Sequence, residues 1–256
     1  MIQISYISSG IVDFQVEIGK SRHMGVSLTV DEALKEYRDY NLKCLVIAPL
    51  RGEAYNVEVK LVNERFRELL NTYKDRKVIG LAAVNPWHWE DLKTRIEGYL
   101  KRGVFKGIKL FPSIQGFHVN DEIVYPIMDL AAKLRTLVYV PSGYPPQTPL
   151  EIADLASLYP EVKIVMGHAG FSDMWIEVAS ALRRNDNLYV DISTQTQIRA
   201  IKRAIRDLGP HKFVYASDMP FSHPRLELYK VKLLGLSEDE KEALLHGNAK
   251  ELLRVV

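Results

Sequence analysis

The sequence predicts an α/β protein folded as a single (β/α)8 TIM barrel, one domain over residues 1–256, and three observations lead there. The chain has 256 residues, and a barrel of eight strand–helix units typically takes about 250. Eight short apolar runs alternate with longer amphipathic segments, the order that builds a parallel sheet covered by helices. The runs are continuous in hydrophobicity rather than alternating, as expected of strands buried on both faces.

In chain order the predicted strands are 12–18, 44–48, 78–84, 107–111, 137–140, 163–166, 188–192 and 212–216. The intervening helices carry boundary signals. Thr29 with Glu32 forms a capping box after the first run, and Ser237 with Glu240 forms another near the C-terminus. In each, hydroxyl and carboxylate satisfy otherwise unpaired backbone N–H groups. Thr148-Pro149 supplies a cap and a proline at the first helical position, and Gly103 and Gly209 stand where helices should stop. Arg199, Lys202, Arg203 and Arg206 read as one solvated helix face. An open doubly wound sheet is the competing architecture, but no G-x-G-x-x-G follows an early strand.

Composition narrows the function classes. With 34 Lys and Arg against 32 Asp and Glu, the net charge of +2 gives no reason to expect a nucleic-acid partner. The single cysteine, Cys44, excludes an internal disulfide framework and a cysteine zinc cage, and its apolar run suggests a core thiol. No run approaches the roughly 20 apolar residues of a membrane span, and the first twelve residues lack the Lys or Arg of a secretory leader. The expectation is a cytoplasmic protein with a small-molecule substrate and no membrane partner. Trp87, Trp89 and Trp175 read as aromatics that serve a homo-oligomer interface or simply pack helices, and the many ion-pairing residues suggest a thermophile.

Barrel chemistry gathers at the C-terminal ends of strands, and five of seven histidines follow strands: His23, His88, His118, His168 and His223. Gln15 and Glu17 are two residues apart on the first strand and share one side of it. Lys109 interrupts a central apolar strand, which is costly unless it is paired. His168 sits among small residues in Met166-Gly167-His168-Ala169-Gly170, and Asp218 ends the eighth strand.

Four segments carry a resemblance: Gly107-Ile108-Lys109-Leu110-Phe111-Pro112, Met166-Gly167-His168-Ala169-Gly170, Ala216-Ser217-Asp218-Met219-Pro220-Phe221 and Gly247-Asn248-Ala249. In this order, with Asn85-Pro86, they resemble the amidohydrolase-related family, the branch with aminocarboxymuconate-semialdehyde decarboxylase and 2-pyrone-4,6-dicarboxylate lactonase. The resemblance implies a barrel hydrolase or decarboxylase for small carboxylated or cyclic substrates. It also implies a divalent metal held by His-x-His on strand one, a histidine ending strand five and an aspartate ending strand eight, with a strand-six histidine assisting. His168 and Asp218 match that pattern. Gln15 and Glu17 replace the His-x-His pair, and Pro141 stands at the strand-five position. Zinc prefers nitrogen and sulfur ligands. If any metal binds, Glu17, His168 and Asp218 are the candidate ligands, a set better suited to magnesium, manganese or calcium.

Three readings follow. The first is an enzyme without the family's usual zinc site: Asp218 and His168 share acid–base work, Asp218 activates water, Lys109 holds a substrate carboxylate and Gln15 bonds a carbonyl. Glu17 completes this candidate substrate-binding set. The second is an inactive barrel retained as a ligand- or partner-binding scaffold. The third is Schiff-base chemistry at Lys109, against which stands a structural Lys109–Glu17 pair.

Overall fold

The computed structural model describes residues 10–54, 59–73 and 78–254. The leader reading rests largely on residues 1–9, which lie outside these. A nine-stranded mixed sheet forms the frame: β1 (Ile11–Ser21), β2 (Val26–Leu28), β3 (Leu42–Pro49), β4 (Val78–Ala83), β5 (Phe105–Lys109), β6 (Leu137–Pro141), β7 (Ile164–Gly167), β8 (Leu188–Asp191) and β9 (Phe213–Val214). The order is β2-β1-β3-β4-β5-β6-β7-β8-β9, with every neighbouring pair parallel except β1–β2. The eight predicted runs are the eight parallel strands. The short strand β2 was not anticipated: it folds back on β1, pairing Gly19 with Leu28, and three residues are too few to show a period.

A helix follows each parallel strand: α1 (Val30–Glu36), α2 (Val59–Thr72), α3 (Trp89–Lys101), α4 (Tyr125–Leu134), α5 (Pro149–Leu158), α6 (Trp175–Arg184), α7 (Ile198–Leu208) and α8 (Pro224–Leu234). The arrangement is TIM-barrel-like. The boxes at Thr29–Glu32 and Ser237–Glu240 form as expected, and Thr148 forms a third with Glu151. Backbone bonds join β1 to the segment following β9: Phe14 N–H to Tyr215 O (3.1 Å), Asp218 N–H to Gln15 O (3.0 Å) and Glu17 N–H to Met219 O (2.8 Å).

Strand residues divide between two apolar clusters. Val46 and Ala48 join Tyr139, Val165, Ala216 and residues 249, 252 and 253 of the final helix, while Leu45 and Ile47 pack with the covering helices. On β1 the register against β3 shifts between Asp13 and Val16. Val12 before the shift and Phe14 within it belong to the inner cluster, and after it Val16 and Ile18 belong to the outer one. The irregularity therefore turns Gln15 and Glu17 inward. Cys44 is buried, as expected of a core thiol, and the basic face of α7 is exposed. The tryptophans divide between exposure and helix packing. Trp87 is exposed, Trp175 is half-buried, and Trp89 is buried at the start of α3, where its ring belongs to the core.

Candidate active site

Glu17 and Lys109 meet where the ends of β1 and β5 face each other. Both side chains are fully buried, and Lys109 Nζ donates to Glu17 Oε1 at 2.7 Å. Arg51, in the turn directly after β3, closes the cluster. Its backbone N–H reaches Glu17 Oε2 at 2.7 Å, and its Nε lies 3.1 and 3.0 Å from the two Glu17 oxygens. Its Nη2 bonds Asp218 Oδ1 at 3.2 Å, and its guanidinium carbon sits 3.8 Å from the centre of the Phe221 ring. A buried charge needs both a counter-charge and hydrogen bonds, and the forked guanidinium supplies both to two carboxylates at once. Gln15 Nε2 donates to Glu17 Oε1 at 3.2 Å, leaving Gln15 Oε1 buried without a partner among the described residues.

Electrostatics separate the two carboxylates. Burial alone would raise the Glu17 carboxyl, but Lys109 and Arg51 outweigh it and bring the pKa down to about 2. At Asp218 burial wins: its pKa is raised, with Glu17 pushing the same way and His168 and Arg51 opposing. Burial also lowers the Lys109 ammonium, against the pull of Glu17. One carboxylate is thus held ionised, while the other is kept nearer its neutral form.

His168 begins the loop after β7, with its Nδ1 3.0 Å from Ser193 Oγ and 3.9 Å from Asp218 Oδ2. Ser193 Oγ donates to Asp191 Oδ1 at 2.5 Å, and Tyr139 Oη donates to Asp191 Oδ2 at 2.6 Å. Because the Ser193 hydroxyl hydrogen is committed to Asp191, His168 Nδ1 is the donor to Ser193. His168 Nε2 is buried and has no partner among the described residues; whenever the ring is neutral, this nitrogen is its acceptor.

The backbone around these groups is strained. His168 (φ 65°), Ala169 (φ 43°), Thr194 (φ 55°) and Asp218 (φ 53°) adopt left-handed conformations after three successive strands. Such conformations cost roughly 1–3 kcal/mol each and cluster at functional sites. Gly167 is required by proximity, since a Cβ there would lie 2.2 Å from Tyr139 Oη. The small residues flanking His168 therefore do admit another side chain.

Beside this cluster a cavity of about 410 Å³ opens, lined by Arg51, His168, Asp218, Tyr144, Phe171 and Phe221 among others. It pairs aromatic walls with a guanidinium, an imidazole and a carboxyl. A larger groove of about 800 Å³ lies between α2 and α3, near the starts of β4 and β5. Its Arg67 and Arg95 are engaged by Glu64, and none of the strand-end groups lines it.

The structure thus brings Gln15, Glu17, Lys109, His168 and Asp218 to one end of the sheet. Lys109 is enclosed with Glu17, the structural pairing set against a Schiff base. Two of the other strand-end histidines serve elsewhere: His118 bonds Glu151, and His223 caps α8 and contacts Glu36. Sequence reasoning missed Arg51, Asp191 and Ser193. Arg51 satisfies the criterion that selected Asp218, a charged residue just past an apolar run. Asp191 satisfies the one that selected Lys109, a charge within such a run.

The cation set Glu17, His168 and Asp218 does not assemble into a metal site. Among the described residues no group of three or more His, Cys, Asp or Glu side chains could hold a metal. Glu17 Oε1 already receives Lys109, Gln15 and Arg51, and Oε2 receives Arg51. The residues present do not fit the divalent metal of the family this sequence resembles.

The amidohydrolase family matches residues 26–255 of the chain. No curated protein matches it by sequence. Among solved structures, 5-carboxyvanillate decarboxylase from Novosphingobium aromaticivorans, complexed with manganese and 4-hydroxy-3-methoxy-5-nitrobenzoic acid, superposes with a TM-score of 0.77 at 14% identity. That alignment covers 98% of this chain and 97% of the other. A 2,6-dihydroxybenzoate decarboxylase from Rhizobium gives 0.75 at 12% identity, covering 96% and 98%. A putative amidohydrolase from Staphylococcus aureus gives 0.77 at 15%, covering 96% and 100%. At these identities the shared property is the fold.

Proposed function

The chain belongs to the amidohydrolase family, and from that premise we propose that it is an acid–base enzyme that decarboxylates a small carboxylated aromatic substrate. We read the frame as a closed (β/α)8 barrel, supported by the bonds from β1 to the segment after β9. The observation that carries the functional reading is Asp218, a buried carboxyl with a raised pKa that borders the aromatic-walled cavity beside His168. A carboxyl held toward its neutral form is a proton donor.

In this reading Asp218 delivers its proton to the ring carbon that bears the carboxylate. The bond from that carbon to the carboxylate then breaks, its electron pair restores the aromatic ring, and CO2 leaves. Asp218 recovers a proton from solvent. Tyr144, Phe171 and Phe221 suit a planar ring, and His168 Nε2 suits a hydroxyl on it as hydrogen-bond acceptor. Lys109 acts through Glu17 rather than on substrate, a revision of its expected carboxylate-binding role.

Hydrolysis of a lactone or cyclic amide is a second reading, favoured by the Arg51–Asp218 contact, which helps the ionised carboxylate activate water. A panel of hydroxylated benzoates, lactones and cyclic amides tests both readings through CO2 release and ring opening. Asp218→Asn should lower kcat by about 10²–10⁴-fold, the usual contribution of a proton-transfer group. Full-rate turnover by that variant would reject the assignment. No turnover of any compound would favour the scaffold alternative.

A further inference from the structure

We propose that Arg51 and Lys109 are a built-in replacement for a divalent metal, so that this chain carries the cation of its active site as side chains. This rests on reading the strand-end cluster as the active site.

Three observations support it. The first is position. Arg51 Nη2 spans from Glu17 Oε1 at 3.0 Å to Asp218 Oδ1 at 3.2 Å, joining the carboxylate on β1 to the one that follows β9. A metal bridging those two side chains would have to occupy the space between them.

The second is charge. The guanidinium and the ammonium together bring two positive charges, the charge of a divalent ion, which Glu17 and Asp218 balance at most when both are ionised. Adding a divalent cation would leave an uncompensated excess in a buried site, which is costly.

The third is valence. Glu17 accepts from Lys109 Nζ, Gln15 Nε2, the Arg51 backbone and the Arg51 side chain. A carboxylate offers about four acceptor positions, so little remains for a metal. Arg51 is also fixed from a side that a metal would not need, by the Phe221 ring against its guanidinium. The guanidinium borders the cavity while Lys109 is fully enclosed. Arg51 is therefore the cation a ligand meets, and Lys109 neutralises Glu17 behind it.

The test uses Mn2+ as the probe, on the purified wild-type protein and on Arg51→Ala. Free Mn2+ is followed by electron paramagnetic resonance, and Tm by circular dichroism. Wild type should leave Mn2+ free and keep its Tm unchanged. Arg51→Ala should melt several degrees lower, because Glu17 and Asp218 lose a shared partner. It should then bind one equivalent of Mn2+ and regain part of the lost Tm.

Uptake of one equivalent by wild type, abolished by Asp218→Asn, would overturn the proposal. So would a folded Arg51→Ala protein with the wild-type Tm. If Arg51→Ala does not fold, the wild-type titration with its Asp218→Asn control decides alone. Neither readout needs a substrate, so failure here leaves the enzyme reading standing, and absent turnover leaves this one standing.

Discussion

At Asp218 burial and the Glu17 charge favour the neutral acid, while His168, Arg51 and Lys109 favour the carboxylate, and the outcome is a raised pKa. The sign of its pH dependence separates the two proposed chemistries. If Asp218 donates the proton, kcat/KM is at its plateau below the folded pKa and falls about tenfold per pH unit above it. If Asp218 is the base that activates water, kcat/KM instead rises with pH up to that pKa. A pH–rate profile on whichever substrate turns over decides between them. His168 gives a second residue-scale prediction. Its Nδ1–H is directed by Ser193, itself oriented by Asp191. Ser193→Ala removes that acceptor, and losing one hydrogen bond of about 1 kcal/mol should cost roughly tenfold in kcat or less. The 15N spectrum of His168 should show Nδ1 protonated in wild type and a mixture of tautomers in the variant. An unchanged spectrum would remove Ser193 from that role.

Elements were legible where local pattern determines structure. Each predicted run became a parallel strand because a strand covered on both faces must be apolar throughout, and the helix starts followed from side chains that satisfy end groups locally. Thr148 illustrates this: its hydroxyl accepts from Glu151 N–H at 3.2 Å while Glu151 accepts from Thr148 N–H at 2.7 Å. Thr148→Ala should therefore destabilise the protein by about 1 kcal/mol, measurable by urea unfolding, and an unchanged midpoint would mean the box contributes nothing. Pattern failed where partners are distant in sequence. The last run was read as 212–216, yet only Phe213–Val214 pair with β8. Tyr215 N–H turns to Leu244 O instead, and Ser217 and Asp218 turn to β1. Of the site, the inward faces of Gln15 and Glu17 and the strand-end places of His168 and Asp218 were readable. The place of Arg51 just past an apolar run was readable too, but not its bridging role, which exists only once β1 lies between β3 and the segment after β9.

For the whole molecule, besides Asp218, stability against pH should depend on two further buried carboxylates, Glu17 and Asp13, that titrate in separate windows. Glu17 is lowered to about 2 from a reference of 4.5, so its contribution is present above pH 4.5 and is lost as pH falls toward 2. Asp13 goes the other way. Burial pushes it up to about 7 from 3.8, even though Ser217 and Tyr37 donate to it. An acid with a raised folded pKa contributes fully below its unfolded pKa. Between about pH 4 and 7 the unfolded chain ionises while the folded one holds its proton, so stability falls, and the loss is complete above 7. That upward shift corresponds to on the order of 4 kcal/mol. Asp13→Asn imitates the protonated acid, and the Ser217 and Tyr37 hydroxyls can rotate to suit an amide. Urea unfolding at a series of pH values should show wild type losing stability from pH 4 to 7 relative to Asp13→Asn, which should then be the more stable protein at pH 8. Parallel curves for the two proteins would show that Asp13 is ionised throughout, its hydrogen bonds having overcome burial.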